Sequence, residues 1–133
     1  MQSDDDLRPL LRRHLGAAVR HRDRIAVAAL REAIAALDNA EAIPLDGDLK
    51  AKAGEYVAGG VAGLGAAEAG RRILDAETQR AIVRAEIETR LAAAITYDEH
   101  GRSARSADLR SGAEVLLAAL DAVAASDETE RGG

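Results

Sequence analysis

Apolar side chains recur at three- and four-residue spacings in four stretches of the sequence, which is the pattern of amphipathic helices. The first two predicted helices cover about residues 7–21 and 24–42. Their apolar stripes are Leu7, Leu11, Leu15 and Ala18, then Val27, Leu30, Ile34 and Leu37. The 3-4-3 spacing of the second stripe is typical of a seam between packed helices. Because the connection between the two helices is short, we expect an antiparallel hairpin.

The second half of the chain predicts another helical pair. A third helix over about residues 75–99 has an apolar residue at every fourth position, namely Val83, Ile87, Leu91 and Ile95. Asp75 is its expected N-cap, and Gly101 is expected to end it in the left-handed conformation. Glu86 and Arg90 have the spacing of an ion pair along one helix.

The fourth predicted helix begins at Ser103 or Ser106 and ends near Ala125. Its stripe is Leu109, Ala113, Leu116, Leu120 and Val123. Gly112 either weakens this helix or marks a close contact with a neighbouring helix. The polar residues that follow, 126–133, predict a disordered tail.

Between the two pairs the helical periodicity is lost. Residues 59–65 read GGVAGLG, and each glycine disfavours a helix by about 1 kcal/mol relative to alanine. We predict a Gly/Ala-rich linker over about residues 44–70, mobile over 46–65, with a helical turn around 50–58. The predicted fold is one all-α domain over residues 1–125, a bundle of two antiparallel helical hairpins.

Composition narrows the classes of function. Aromatic residues make up only 2% of the 133 residues, and cysteine is absent, which excludes disulfides and thiolate sites. The net charge of −5 argues against a surface that is basic throughout, so nucleic-acid binding would need a local basic face. The sequence has no run of 18 apolar residues and no signal-peptide pattern, so we expect a cytoplasmic protein without membrane contact.

Candidate catalytic groups lack the neighbours that catalysis needs. His14 and His21 share a helix face, but no further ligands support a metal site. Gly63 and Gly65 follow no predicted strand and belong to no βαβ unit, as a phosphate-binding loop requires. The serines lie in the termini or on predicted helix caps and surfaces, and nothing in the sequence suggests a Ser-His-Asp triad. We therefore expect no enzymatic activity, no metal and no cofactor.

Arginines provide the candidate binding site. Those selected are Arg20, Arg22, Arg24, Arg31, Arg84 and Arg90. In an antiparallel hairpin, the arginines around the first turn crowd together and can hold phosphate or carboxylate groups. The alternative is an ordinary solvated surface balanced by acids such as Asp23 and Glu32. RNA phosphate is the leading ligand, although the chain is poor in the aromatic residues on which bases stack.

Two segments resemble the YqeY family. The first, residues 15–41, reads LGAAVRHRDRIAVAALREAIAALDNAE; the second, residues 74–120, contains IVRAEI, then Arg90, Tyr97, and the pairs GR and VL. The YqeY family comprises small bacterial proteins related to the tail domain of the B subunit of glutamyl-tRNA amidotransferase. The resemblance implies a helical domain followed by a smaller helical domain. Here the second domain is expected to be missing, and Gly112 replaces an expected acidic residue.

The resemblance also implies a partner, namely tRNA or a protein of the translation machinery. The predicted function is a non-catalytic helical module that binds such a macromolecule. One alternative is a protein–protein or self-association module that pairs through its apolar stripes. Another, implied by the resemblance alone, is an accessory to a glutamine-dependent carbon–nitrogen ligase. The sequence shows neither an ATP site nor an ammonia route for such a ligase.

Overall fold

The computed structural model describes residues 6–42 and 73–132, which form four α-helices. These are α1 (Arg8–Arg20), α2 (Arg24–Ala42), α3 (Ala76–Glu99) and α4 (Ser103–Gly132). The prediction of an all-α bundle is confirmed, and no strand occurs in the described part of the chain. The predicted linker, with its helical turn around residues 50–58, lies outside the described residues.

A cluster of charged side chains joins the beginning of α1 to the end of α2. The Arg8 guanidinium donates to both carboxylate oxygens of Glu41, at 2.6 and 2.5 Å, and also to Asp38 and Asp6. The hydrogen bonds to Glu41 raise the pKa of Arg8 above its already high value. Burial raises the pKa of Asp6, but its hydrogen bonds with Arg8 outweigh burial and leave that pKa lowered. These contacts require α1 and α2 to run antiparallel.

The helices α3 and α4 share the most extensive contacts in the bundle, and α2 packs against both of them. Across the connection between α3 and α4, Arg110 donates to Asp98 at 2.7 Å. Near the beginning of α3, Arg80 and Arg84 line a cleft together with Glu128 near the end of α4. This arrangement places the ends of α3 and α4 together in antiparallel order.

Small and aliphatic side chains fill the core. Leucine and alanine predominate among the fully buried positions, which include Leu11, Ala29, Leu30, Ala33, Leu37, Val83, Ala94, Leu116 and Ala119. The predicted stripes of α1, α2 and α4 all contribute to this core or pack against it. Alanines at helix contacts allow the backbones to approach closely, which compensates for the lack of large aromatic side chains.

The predicted stripe of α3 is only half correct. Val83 and Ile87 are buried, but Leu91 and Ile95 have exposed fractions of 38% and 53%, whereas Ala94 is fully buried. A helix turns about 100° per residue, so a strict four-residue spacing drifts about 40° at each step. Three such steps carry Ile95 off the core face, and Ala94 takes its place.

A buried glutamine connects the two hairpins. Gln79 is only 3% exposed. Its Oε1 accepts a hydrogen bond from the Leu7 N–H at 2.7 Å, and its Nε2 donates to the Leu74 carbonyl at 3.0 Å. One side chain thus satisfies two backbone groups at helix ends that would otherwise be buried without partners.

The last helix is longer than expected. It continues through residues 126–132, which the sequence predicts as a disordered tail, and the Thr129 hydroxyl donates to the Ala125 carbonyl one turn earlier. No glycine or proline occurs between Gly112 and Gly132. Polarity therefore does not end this helix, because polar residues are compatible with a solvent-exposed helical turn.

Candidate anion-binding site

The turn after α1 has an arginine in a left-handed backbone conformation. Arg22 has φ +56°. The Arg22 N–H donates to the Val19 carbonyl at 3.1 Å, and the Asp23 N–H donates to the Ala18 carbonyl at 2.9 Å. This pair of bonds is the Schellman motif, in which glycine usually occupies the left-handed position. The motif fixes the backbone that carries Arg22.

Asp23 ends the turn by capping the next helix. Its Oδ1 accepts a hydrogen bond from the Ala26 N–H at 3.1 Å, and its carbonyl accepts one from the Val27 N–H. An aspartate at this position satisfies a backbone donor of the first helical turn. The Asp23 side chain thus binds the backbone of α2, and its two neighbours in the sequence, Arg22 and Arg24, are exposed.

Three of the six predicted arginines line one groove of about 490 Å³ beside this turn. We call it the turn groove; its lining residues are Val19, Arg22, Arg24, Val27, Ala28 and Arg31. This described lining contains no carboxylate. Within residues 6–42 and 73–132, none of the three arginines forms an ion pair. The turn groove therefore presents three positive charges on an apolar floor.

A second cleft, of about 500 Å³, lies where α2, α3 and the beginning of α4 meet. We call it the junction cleft. Its charged lining residues are Arg22, Asp23, Arg24, Glu32, Arg90, Arg105 and Asp108. Because Arg22 and Arg24 line both the turn groove and the junction cleft, the two are adjacent on the surface.

Arg90 enters the junction cleft from α3 over a glycine of α4. A Cβ atom on Gly112 would lie 3.6 Å from both Cδ and Nη1 of Arg90, and 3.4 Å from the Ala29 Cβ. Gly112 therefore marks a close helix contact, which was one of the two interpretations offered by the sequence. The Arg90 Nη2 donates to Glu32 on α2 at 2.5 Å. The ion pair predicted with Glu86 is thus replaced by one between helices.

The other two predicted arginines lie elsewhere. Arg20 folds along its own helix, with its Nη1 3.5 Å from the Cβ position of Gly16. Arg84 lines a separate cleft with Arg80, where the acids Asp121 and Glu128 also lie. The structure therefore brings together Arg22, Arg24, Arg31 and Arg90, and leaves Arg20 and Arg84 apart.

Arg105 is a site residue that was not predicted. It lines the junction cleft, and its guanidinium carbon lies 5.9 Å from the centre of the Tyr97 ring. Arg102 lies at a similar distance of 5.8 Å from the same ring. The short connection between α3 and α4 could have indicated Arg105, because it places the first turn of α4 near the end of α3. An aromatic side chain thus lies beside one of the cleft arginines, which is a cation–π arrangement.

The three histidines all lie in the described part of the chain. In the described part of the chain, no group of three or more His, Asp or Glu side chains is arranged to hold a metal ion. His100 instead caps α3, where its Nδ1 donates to the Thr96 carbonyl at 2.8 Å. The exposed His21 forms the C-cap of α1 through its backbone N–H.

Comparisons with known proteins give no relative: no family model, curated protein or solved structure matches this chain. Among the described helices, none has the length and apolar character needed to cross a membrane.

Proposed function

We propose that this chain is a non-catalytic, YqeY-like helical module that binds RNA phosphates, with tRNA as the first candidate, through the turn groove. The observation that carries the proposal is the convergence of Arg22, Arg24 and Arg31 on one groove that has no carboxylate in its described lining. Guanidinium groups bind phosphate oxygens in pairs, and three of them along one groove suit a phosphate backbone.

The position of Arg22 adds independent support. A non-glycine residue in the left-handed region is disfavoured, and such outliers concentrate at functional sites. Glycine at this position would satisfy the same turn without strain. A side-chain function explains why the sequence has an arginine there.

The net negative charge is compatible with this proposal because the basic residues are segregated. Arg8 is paired with carboxylates at the opposite end of the first hairpin, and Arg110 is paired with Asp98. The arginines of the turn groove have no such partners in the described part of the chain. A local positive field can therefore exist on a protein whose formal charge is −5.

The test is binding of fluorescently labelled tRNA, measured by anisotropy over a series of salt concentrations. The decisive variant combines Arg22→Gly with Arg24→Ala, and its matched control combines Arg12→Ala with Arg13→Ala. The control removes the same charge from exposed positions of α1. We expect tight binding at low salt, and each lost phosphate contact should reduce the log–log salt slope by about one.

Equal affinities of the two double variants would contradict the proposal, because net charge alone would then explain binding. Absence of binding at low salt would contradict it outright. Unfolding does not confound the decisive variant, because Arg22→Gly relieves backbone strain.

A second candidate function is self-association through α3. Leu91 and Ile95 are one turn apart on that helix, and both are exposed. Pairing of this stripe with a second copy would bury it, in an interface largely insensitive to salt. Sedimentation equilibrium at low and high salt tests this candidate. A salt-independent dimer that Leu91→Gln with Ile95→Gln dissociates would support it, and a monomer at all concentrations would reject it.

A further inference from the structure

The guanidinium of Arg90 is only half satisfied. Its side chain is 11% exposed, and its Nη2 donates to a single oxygen of Glu32. Its Nε is buried and has no hydrogen-bond partner among the described residues. A buried donor without a partner is uncommon and costly, so it calls for an explanation.

The geometry of the guanidinium shows which edge is incomplete. Cδ and Nη1 lie on the side of Gly112, each 3.6 Å from the position of its absent Cβ. In a planar guanidinium, the edge formed by Nε and Nη2 is on the opposite side. This edge is the one that binds two oxygens of an oxyanion side by side, and Glu32 engages only its Nη2 end.

Glu32 is a weakly held partner. Its side chain is 62% exposed, in contrast to the buried side chain of Arg90. An ion pair with one solvated member contributes little, because solvent screens it and the flexible side chain loses entropy. Glu32 can therefore leave Arg90 when a better anion arrives.

We infer that the junction cleft is a binding site for a phosphate group, and that the Glu32 carboxylate holds the place that a phosphate oxygen takes on Arg90. With Glu32 displaced, the cleft lining has four guanidiniums, those of Arg22, Arg24, Arg90 and Arg105, against two carboxylates. One of these carboxylates, Asp23, accepts a backbone N–H of α2. Once Glu32 is displaced, positive charges therefore outnumber negative ones in the junction cleft. In the unbound protein, Glu32 competes with the phosphate for Arg90.

This inference goes beyond the proposed function, because a free phosphate ligand satisfies it as well as an RNA phosphate does. The ligand chemistry is the same in both cases: an anion with at least two oxygens free to bind the Nε–Nη2 edge. The two sources differ in whether the rest of the ligand follows the turn groove.

The experiment uses inorganic pyrophosphate as the probe, on the full chain. Titration calorimetry gives the affinity, and the Nε–H resonances of the arginines in a ¹⁵N-labelled sample report the site. The key variant is Glu32→Gln, and the matched control is Glu88→Gln, which removes the same charge. Glu88 is exposed, and it lies two residues before Arg90 on α3 and so faces away from it.

We expect pyrophosphate to shift the buried Nε–H resonance of Arg90 in a saturable way. Glu32 competes with the ligand for Arg90, so Glu32→Gln should tighten binding. The gain should be only about fivefold, because an exposed ion-pair partner is weakly held. Glu88→Gln should leave the affinity at the wild-type value. Arg90→Lys keeps the charge but removes Nε, and binding should weaken by at least about tenfold, as expected for loss of a bidentate contact.

Equal affinities of Glu32→Gln and Glu88→Gln would overturn the inference, and so would pyrophosphate binding that leaves the Arg90 resonance unmoved. A second titration with tRNA separates the sources. If tRNA shifts the Arg90 resonance and displaces pyrophosphate, the phosphate belongs to RNA. If only pyrophosphate shifts it, the site takes a free phosphate ligand. Failure of tRNA to bind would reject the proposed function while leaving the pyrophosphate result to decide on this cleft.

Discussion

The turn that ends α1 and the turn that ends α3 have the same backbone construction. After α3, the Gly101 N–H donates to the Asp98 carbonyl at 3.0 Å, and the Arg102 N–H donates to the Tyr97 carbonyl at 2.8 Å. The turn after α1 repeats both bonds through Arg22 and Asp23. The left-handed position has φ +74° at Gly101 and +56° at Arg22.

The difference lies in what occupies this position. Glycine adopts positive φ without steric cost, whereas an arginine there brings its Cβ against the backbone. The turn after α3 is therefore the relaxed version of the motif, and the turn after α1 is the strained one. The strained position is occupied by one of the turn-groove arginines. Replacing Arg22 by glycine should therefore raise stability and weaken binding.

Placing an arginine in the relaxed turn should have the largest effect. Gly101→Arg should lower the free energy of unfolding by about 1 kcal/mol, because the cost of a left-handed non-glycine residue, about 1–2 kcal/mol, is partly offset by the reduced freedom of the unfolded chain. A Cβ at this position meets no atom within 4 Å, so the cost comes from the backbone alone. Urea denaturation measures it, and Gly101→Ala is the control and should lose a similar amount. Unchanged stability of both variants would show that the left-handed position carries no penalty here.

Relaxing the strained turn should have a smaller effect of opposite sign. Arg22→Gly should raise the free energy of unfolding by about 0.5–1 kcal/mol, because the relieved strain exceeds the extra freedom that glycine gives the unfolded chain. The measurement is again urea denaturation, with Arg24→Ala as a control of equal charge. Arg22→Gly should also bind tRNA more weakly than the wild type. A destabilised Arg22→Gly would refute the assignment of strain to this turn.

Exchanging the two residues tests whether the turns are independent. The variant Arg22→Gly with Gly101→Arg has the composition and net charge of the wild type. Its change in stability should equal the sum of the two single changes within about 0.5 kcal/mol, as expected for separate sites. Its tRNA affinity should remain below the wild-type value, because the transferred arginine lies outside the turn groove. A larger departure from additivity would mean that the turns are coupled through the bundle.

Much of this fold could be predicted from the sequence because local signals agree with tertiary packing. The Asp75 cap is an example: its side chain accepts a hydrogen bond from the Thr78 N–H at 2.7 Å. Gly101 likewise occupies the left-handed position that its place in the sequence predicts. The outer half of the α3 stripe was wrong, since successive four-residue steps drift by about 40° each and carry Ile95 off the core face.

The site was less predictable because it depends on contacts between helices. Crowding at the first turn follows from a short connection, so Arg22 and Arg24 could be selected. The exchange of Glu86 for Glu32 as the partner of Arg90 could not be anticipated, because it depends on how α2 crosses α3. The same holds for Gly112, whose missing Cβ provides the space beside Arg90. Nothing in the sequence spacing links these three helices.

The smallest predicted effect concerns acid sensitivity at the relaxed turn. The hydrogen bond from Arg110, together with one from Ser106, lowers the pKa of Asp98 below its ordinary value. No matching ion pair joins the arginines beside the strained turn in the described part of the chain. The Asp98 carboxyl holds its proton less tightly in the folded form than in the unfolded chain. Its contribution to stability is therefore present above the unfolded pKa of roughly 4. It is lost as the pH falls through the folded pKa.

Asp98→Asn removes this contribution at every pH. The variant should therefore melt slightly below the wild type at pH 7, and the two should converge as the solution approaches pH 2. Both partners are half exposed, so the difference at neutral pH is small and should shrink further in high salt. Thermal melts monitored by circular dichroism at the two pH values measure it, with Asp108→Asn, at an exposed acid of α4, as the control. A gap that stays constant with pH would mean that Asp98 acts through its shape and not through its charge, and the relaxed turn would then owe its stability to Gly101 and the backbone alone.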